Sequence, residues 1–305
     1  MSRMQVSMLP DGRRLHLQDG PIDLIIGAEG EPEHVTRAYD VAQIRFSTIL
    51  DELCEELPLL RQPTDRIPEG IVASRMWRAT TDLTALGFIT PMAAVAGSVA
   101  EEVLYAMITV SSLERAHVNN GGDIAFHLGP WTEYNIGMVD RPDAPNLFSK
   151  AHIDWTDAVR GIATSGWRGR SFSLGIADAV TALAVTASAA DAAATLIANA
   201  VDLPGHPAIT RVPANEIQFD NDLGPRPVTR AVGPLSAEDI AEALDRGAAF
   251  AQGLVKQGTI IACALHLAGE TRVVGEVKLD QPGRIETDAG SKGQEIPRLG
   301  RRRVP

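Results

Sequence analysis

Val159-Arg160-Gly161-Ile162-Ala163-Thr164-Ser165-Gly166 carries an apolar run into a turn of small residues. Beyond Arg168 and Arg170 the chain reaches Ala190-Asp191-Ala192-Ala193-Ala194-Thr195. A short strand over 158–163 and a helix over 189–201 are the expectation. That helix would set Asp191 and Thr195, four positions apart, on one face near its start. A carboxylate and a hydroxyl oxygen side by side are hard ligands suited to Mg²⁺, which usually leaves room for substrate phosphate oxygens. The same residues have an ordinary use, with Asp191 favouring a helix N-terminus and Thr195 packing against a neighbour. These two residues alone leave both readings open.

Upstream, Leu15, Leu17, Ile22, Leu24 and Ile26 alternate about Asp19-Gly20, a hairpin signal. Pro32 opens a helix over 33–57, with Val35, Ala38, Ala42, Phe46, Ile49 and Leu53 at helical spacing, and Pro58 ends it. Residues 59–71 read as a loop, and 74–84 fit either strand or loop. Pro91 starts a helix of small residues over 92–117. Asn119-Asn120-Gly121-Gly122-Asp123 is a turn before a strand at 124–128. Further strands are expected at 134–139 and 158–163, with a Pro-rich loop between them. Downstream, 216–223 read as a strand, Ser236 caps a helix over 237–257, and 259–267 with 271–277 close a hairpin around Gly269. Gly, Pro and charges dominate residues 281–305, which are expected to be a disordered tail.

Composition narrows the function classes. Hydrophobic residues make up 45% of the 305 but aromatics only 5%, so Ala, Gly and Val must build the core by close backbone packing. A net charge of −11 argues against general nucleic-acid binding, which relies on Lys and Arg. Cys54 and Cys263 are the only cysteines, which excludes a disulfide framework and a Cys-rich zinc site and fits a reducing cytoplasm. Residues 1–10 lack an apolar export core and are read as untargeted. The apolar stretch 181–201 contains Asp191 and hydroxyl residues, so a buried strand and helix are expected there and no membrane span.

Ala94-Val95-Ala96-Gly97-Ser98-Val99-Ala100-Glu101 resembles Ala184-Val185-Thr186-Ala187-Ser188-Ala189-Ala190-Asp191, and an acidic-Ile-x-Phe unit follows each, at Asp123 and at Glu216. Two features in one order suggest an internal duplication, with chance similarity between Ala-rich stretches as the alternative. The expectation is a single α+β domain over 1–280, divisible into pseudo-repeats of about 70–155 and 156–280.

The 119–123 turn combines residues that tolerate positive φ with a carboxylate, and its backbone N–H groups could form an anion nest. Thr164-Ser165-Gly166 offers hydroxyls beside Arg168 and Arg170, and an arginine fork there could clamp phosphate. An exposed loop with surface arginines is the alternative. No serine sits in a Gly-x-Ser-x-Gly elbow, the seven histidines show no ligand spacing, and no Walker or Gly-x-Gly-x-x-Gly loop occurs.

In this order the pieces resemble the ApbE-type flavin transferases, and more closely an uncharacterised branch related to them. The corresponding elements are Asn120-Gly121-Gly122-Asp123-Ile124, Ile162-Ala163-Thr164-Ser165-Gly166, and Ala190-Asp191 with Thr195; Phe88-Ile89-Thr90-Pro91-Met92-Ala93-Ala94-Val95-Ala96-Gly97 is similar to that branch. The resemblance implies an ApbE-like fold of mixed sheets packed with small-residue helices. It implies Asp191 and Thr195 as Mg²⁺ ligands, and Asn120, Gly121, Gly122 and Asp123 lining a pocket for FAD or another nucleotide. Thr164, Ser165 and Gly166 would lie near the flavin. The transferases' His-x-x-Asp-Pro run appears here as Gly175-Ile176-Ala177-Asp178-Ala179, and their Lys-Gly-Tyr-Ala-x-Asp as Ala96-Gly97-Ser98-Val99-Ala100-Glu101. Asp178 or Glu101 would then be the base. The leading expectation is a cytoplasmic protein with a Mg-dependent pocket for a small nucleotide-like or flavin ligand, its reaction unassigned. FMN transfer from FAD to a protein is the alternative. So is a silent binding or assembly protein whose small-residue helices form a homo-oligomer interface.

Overall fold

Alternation of apolar and polar side chains starts the fold at its N-terminal edge. The computed structural model describes residues 4–139, 147–276 and 278–280. Strand β1 (Gln5–Met8) pairs with β2 (Leu15–Asp19), which turns at Gly20 into β3 (Ile22–Glu29). Leu15, Leu17, Ile22, Leu24 and Ile26 all face the core, as their period of two requires. Helix α1 (Pro32–Glu55) begins on Pro32, where a missing N–H costs nothing, and buries Ala38, Ala42, Phe46, Ile49 and Leu53 along one stripe. Pro58 starts a further turn, α2 (Leu57–Leu60).

The next elements correct the sequence reading. Instead of strand or loop, 74–84 fall in α3 (Ile71–Thr80) and a 3₁₀ turn, with Val72, Ala73, Met76 and Thr80 buried at helical spacing. After a 3₁₀ turn at 91–94, α4 (Val95–Val110) stops seven residues short of the expected end at 117. The chain turns instead into β4 (Arg115–Asn120), where Ala116, Val118 and Asn120 are buried and their neighbours are not, a period of two that ends any helix. Strands β5 (Asp123–Leu128) and β6 (Glu133–Val139) follow as expected, and β7 (Leu147–Asp154) is an unexpected third. The Pro-rich loop and residues 281–305 lie outside the described residues.

Strands β8 (Gly161–Ser165) and β9 (Ala179–Ala184) lead into α5 (Ala187–Ala200), as the opening stretch predicts. A hairpin of β10 (Ile209–Pro213) and β11 (Pro227–Val232) holds α6 (Ala214–Ile217) between its strands. The strand expected at 216–223 is therefore one helical turn and a loop. Asn221 Oδ1 accepts from Leu223 N (2.7 Å) and Gly224 N (2.8 Å), local side-chain bonding that competes with a sheet ladder. With α6 in that place, Glu216-Ile217 and Asp123-Ile124 are not structural equivalents. Helix α7 (Ala237–Lys256) has a full capping box between Ser236 and Asp239, and β12 (Ala262–Leu267), β13 (Glu270–Gly275) and β14 (Lys278–Asp280) are the last described elements.

The architecture is α+β. Nine strands form one antiparallel sheet in the order β1-β2-β3-β4-β5-β8-β9-β12-β13, which sets hairpins β2–β3 and β4–β5 side by side, and likewise β8–β9 and β12–β13. On one face, α4 contacts β4 and β5, α5 contacts β8 and β9, and the two helices contact each other. The other face carries Phe126, Leu128, Ile162 and Leu183 against Ala151 and Ile153 of the small sheet β14-β7-β6. Alanines 187, 190, 192, 193, 194 and 198 of α5 are buried, so the scarcity of aromatics is met by close approach of backbones. Residues 91–110 are long and apolar enough to cross a membrane by length and composition, but half of that window is buried, and α4 packs against α1, α3 and α5.

Charge buried at the helix junction is paired. Glu102 on α4 is 5% exposed and accepts from Arg45 Nε of α1 (2.8 Å) and Arg75 Nη2 of α3 (2.9 Å). Truncating it strands two half-buried guanidiniums, although Arg45 keeps Glu52 and Arg75 keeps Glu101. Glu102→Ala should lower the unfolding free energy by about 2 kcal/mol in urea titration. An unchanged midpoint would mean that the junction is held by apolar contacts alone.

Candidate functional site

The 119–123 turn is a two-residue hairpin joining β4 to β5, with Asn120 opposite Asp123. Gly121 (φ +67°) and Gly122 (φ +116°) both take positive φ, the geometry that matches strand twist in such tight connections. Gly122 N donates to Asn119 Oδ1 (2.8 Å), so that N–H is not free for an anion nest. Two bonds aim the hairpin. Asn120 Nδ2 donates to Ala96 O (3.2 Å) at the start of α4, and Thr164 N donates to Asp123 Oδ1 (3.1 Å) from the end of β8. Thr164 Oγ1 lies 3.0 Å from Thr181 Oγ1 on β9.

Helix α5 is capped by Thr186, whose hydroxyl accepts from Ala189 N. Asp191 is therefore not needed at its own helix N-terminus. Its Oδ2 accepts from Gly97 N (3.0 Å), in the first turn of α4. Carboxylate and dipole assist each other there. Thr195 follows one turn later on the same side of α5.

These segments meet in one cleft of about 850 Å³. Asn120, Gly121, Gly122, Asp123, Thr164, Ser165, Gly166, Asp191 and Thr195 all line it. The cleft is also lined by Phe88, Met92, Phe172, Gln218 and residues 220–223. That loop is fastened across the cleft by Thr90 Oγ1 donating to Asp222 Oδ2 (2.6 Å), by an Arg61–Asp220 ion pair, and by Arg226 stacked 3.3 Å over Phe88. The strand expected at 216–223 hides this part of the lining in the sequence, where the Asp220-Asn221-Asp222 and Gly224 turn chemistry is the signal for it.

The two residues expected as bases stand elsewhere. Asp178 does not line the cleft. Its Oδ1 accepts from Trp167 Nε1 (3.2 Å) and Arg168 Nε (2.6 Å), and its Oδ2 from Ala268 N (2.7 Å). Glu101 accepts from Ser188 N (3.0 Å) and Arg75 Nη1 (3.1 Å), bracing the start of α5 outside the cleft. Both carboxylates are engaged in structural contacts.

Electrostatics concentrate on Asp123 and Asp191. Burial pushes the Asp123 carboxyl up to about 7, against the opposing pull of the Thr164 N–H and Arg170. Asp191 is held well above the carboxylate range, first by burial and then by the negative charge of Asp123. Two buried acids, one of them raised further by the charge of the other, favour uptake of a proton or a cation. The cleft lining among the described residues includes no His or Lys. Nor do three or more His, Cys, Asp or Glu side chains cluster for a metal among the described residues. Two carboxylates with a hydroxyl nonetheless fit Mg²⁺, which binds through one or two carboxylates and keeps its other positions for water and phosphate.

The family described as AbpE bacteria matches residues 6–273. The chain is also similar to the UPF0280 protein of Methanococcus vannielii, with 40% identity over 114 residues, 36% of this chain and 45% of that protein. The UPF0280 protein of Methanothrix thermoacetophila is 35% identical over 140 residues, 46% of this chain and 55% of that one. The UPF0280 protein of Methanosarcina acetivorans is 28% identical over 191 residues, 58% of this chain and 68% of that one. The chain spans about half the length of the first two of these relatives. Among solved structures, the apo form of the flavinyl transferase ApbE of Pseudomonas stutzeri superposes with a TM-score of 0.43 at 11% identity, covering 90% of this chain and 93% of that one.

Proposed function

The chain belongs to the AbpE bacteria family, and on that premise we propose that its cleft binds a phosphate-bearing flavin or nucleotide together with a divalent cation. The carrying observation is the convergence of the Gly121-Gly122 hairpin, the Thr164–Gly166 strand end and the Asp191/Thr195 face of α5 on one cleft. Asp191, Asp123 and Thr195 would hold the cation. When bound, it would supply Lewis-acid neutralisation of phosphate charge. The chain's own residues do the rest. Asn120 and Thr164 hold Asp123 in place, Gly97 orients Asp191, and Phe88 and Phe172 offer apolar surface for a ring.

Thermal unfolding with FAD, FMN or ADP, each with and without Mg²⁺, tests the reading. A ligand at a hundred times its Kd adds about 2.7 kcal/mol, a rise of several degrees for a domain of this size. The rise should need both ligand and Mg²⁺. A melting temperature that no combination moves would sink the proposal.

One observation supports binding over FMN transfer. Asp178 and Glu101 are bonded outside the cleft, which favours binding without transfer to a protein acceptor. In-gel flavin fluorescence after incubation with FAD and candidate acceptor proteins is then expected to stay negative. A covalent fluorescent band would reinstate the transferase reading.

A further inference from the structure

Building on the phosphate-binding reading above, we infer that Arg170 is the specificity residue that recognises the ligand's phosphate, seated on the bare backbone of Gly121. The two arginines after Gly166 have parted company. Arg168 is committed to structure, with Nε on Asp178 Oδ1 (2.6 Å) and its guanidinium 4.3 Å over the Trp167 ring. Arg170 lines the cleft and acts by charge on Asp123, whose carboxyl it pulls down, but it makes no side-chain hydrogen bond among the described residues. Arg61, the other cleft arginine, is taken up by Asp220. Arg170 is thus the cleft arginine whose donors are free for a ligand once a cation takes over the charge of Asp123.

Its seat is built. A Cβ on Gly121 would lie 3.0 Å from Arg170 Cζ and closer still to Nη2, so only a residue without a side chain leaves the guanidinium where it is. Gly121 in turn takes φ +67°, which the hairpin demands. The turn thereby places a planar five-donor group where its charge reaches Asp123. A cation bound by those acids would neutralise them, and Arg170 would remain as the unpaired charge facing the ligand. A guanidinium so placed matches phosphate oxygens in bidentate fashion, and an uncharged ligand gains nothing from it. The ligand class is therefore a phosphate monoester or diphosphate in preference to the bare nucleoside or flavin alcohol.

Isothermal titration of the full chain in saturating Mg²⁺ tests this with FMN against riboflavin and ADP against adenosine. Wild type should prefer the phosphorylated member of each pair. Arg170→Met, which keeps an apolar stem, should weaken the phosphorylated probe about tenfold to a hundredfold and leave its partner unchanged. Gly121→Asn tests the seat independently: Asn tolerates the left-handed backbone, but its Cβ displaces the guanidinium, so a smaller loss with the same ligand selectivity is expected. Wild type that binds both members of a pair equally overturns the inference, as does an Arg170→Met loss that falls on both members or on neither. Wild type that binds no phosphorylated probe overturns the binding reading beneath it.

Discussion

Asp191→Asn is expected to abolish Mg²⁺-dependent ligand binding while leaving the free protein at least as stable as wild type. Its side-chain amide oxygen can still accept from Gly97 N, so the link between α5 and α4 survives. What disappears is a charge that burial and Asp123 both oppose, and relief of that strain should add about 1 kcal/mol to the free protein. Loss of a direct ligand should weaken the cation by at least about a hundredfold, beyond the effect usually seen for a supporting group. The pH dependence carries the sign. Asp123 binds its proton up to about pH 7 when folded, but only up to the ordinary carboxylate range when unfolded. Over that window the folded state holds the extra proton, so this group's contribution falls as pH rises from about 4 to 7. His117 works the other way, because burial lowers its pKa and its contribution is lost as pH falls below the ordinary histidine value. The informative quantity is the difference between proteins. From pH 5 to 8, wild type should lose stability relative to Asp191→Asn, and Mg²⁺ should erase that difference. Parallel pH profiles with and without Mg²⁺ would show that the two acids do not share a site.

Much of the cleft was legible because its residues are local in sequence. Tight turns with obligatory positive φ show as Gly121-Gly122, and a carboxylate and a hydroxyl four apart in an alanine-rich run fall on one helical face. What could not be read is which distant group answers each charge. Asp178 and Glu101 sit beside the recognisable motifs, but their partners come from elsewhere in the chain: Arg168 with the backbone of Ala268, and Arg75 with Ser188. Helix α3 was obscured because Ile71-Val72 open it with β-branched residues of strand character. The segment at 216–223 fits a strand by its apolar residues in a short window, while Asn221 Oδ1 accepting from the N–H groups of Leu223 and Gly224 decides otherwise. The similarity of 94–101 to 184–191 also has a physical source. Both segments are drawn to small residues by one contact, where α4 and the start of α5 press together at Gly97 and Ala187.

That contact sets the second large expectation. In an exposed helix, Gly→Ala is worth up to about 1 kcal/mol of added stability, and at Gly253 of α7, where an added methyl meets nothing within 4 Å, Gly253→Ala should show that gain. At Gly97 the sign reverses. An ideal Cβ there would lie 2.6 Å from the Ala187 carbonyl carbon, 2.9 Å from Ser188 N, and closer still to the Ala187 oxygen. These are backbone atoms at the first turn of α5, and no rotamer change can move them aside. Gly97→Ala must push α4 and α5 apart, at a net loss of about 3 kcal/mol in urea titration, the upper part of the range for overpacking. The same displacement draws Gly97 N away from Asp191, so cation-dependent binding should weaken in the variant even where it remains folded. A Gly97→Ala protein as stable as Gly253→Ala would mean that the helices do not approach so closely, and the orientation of Asp191 toward the cleft would lose its support.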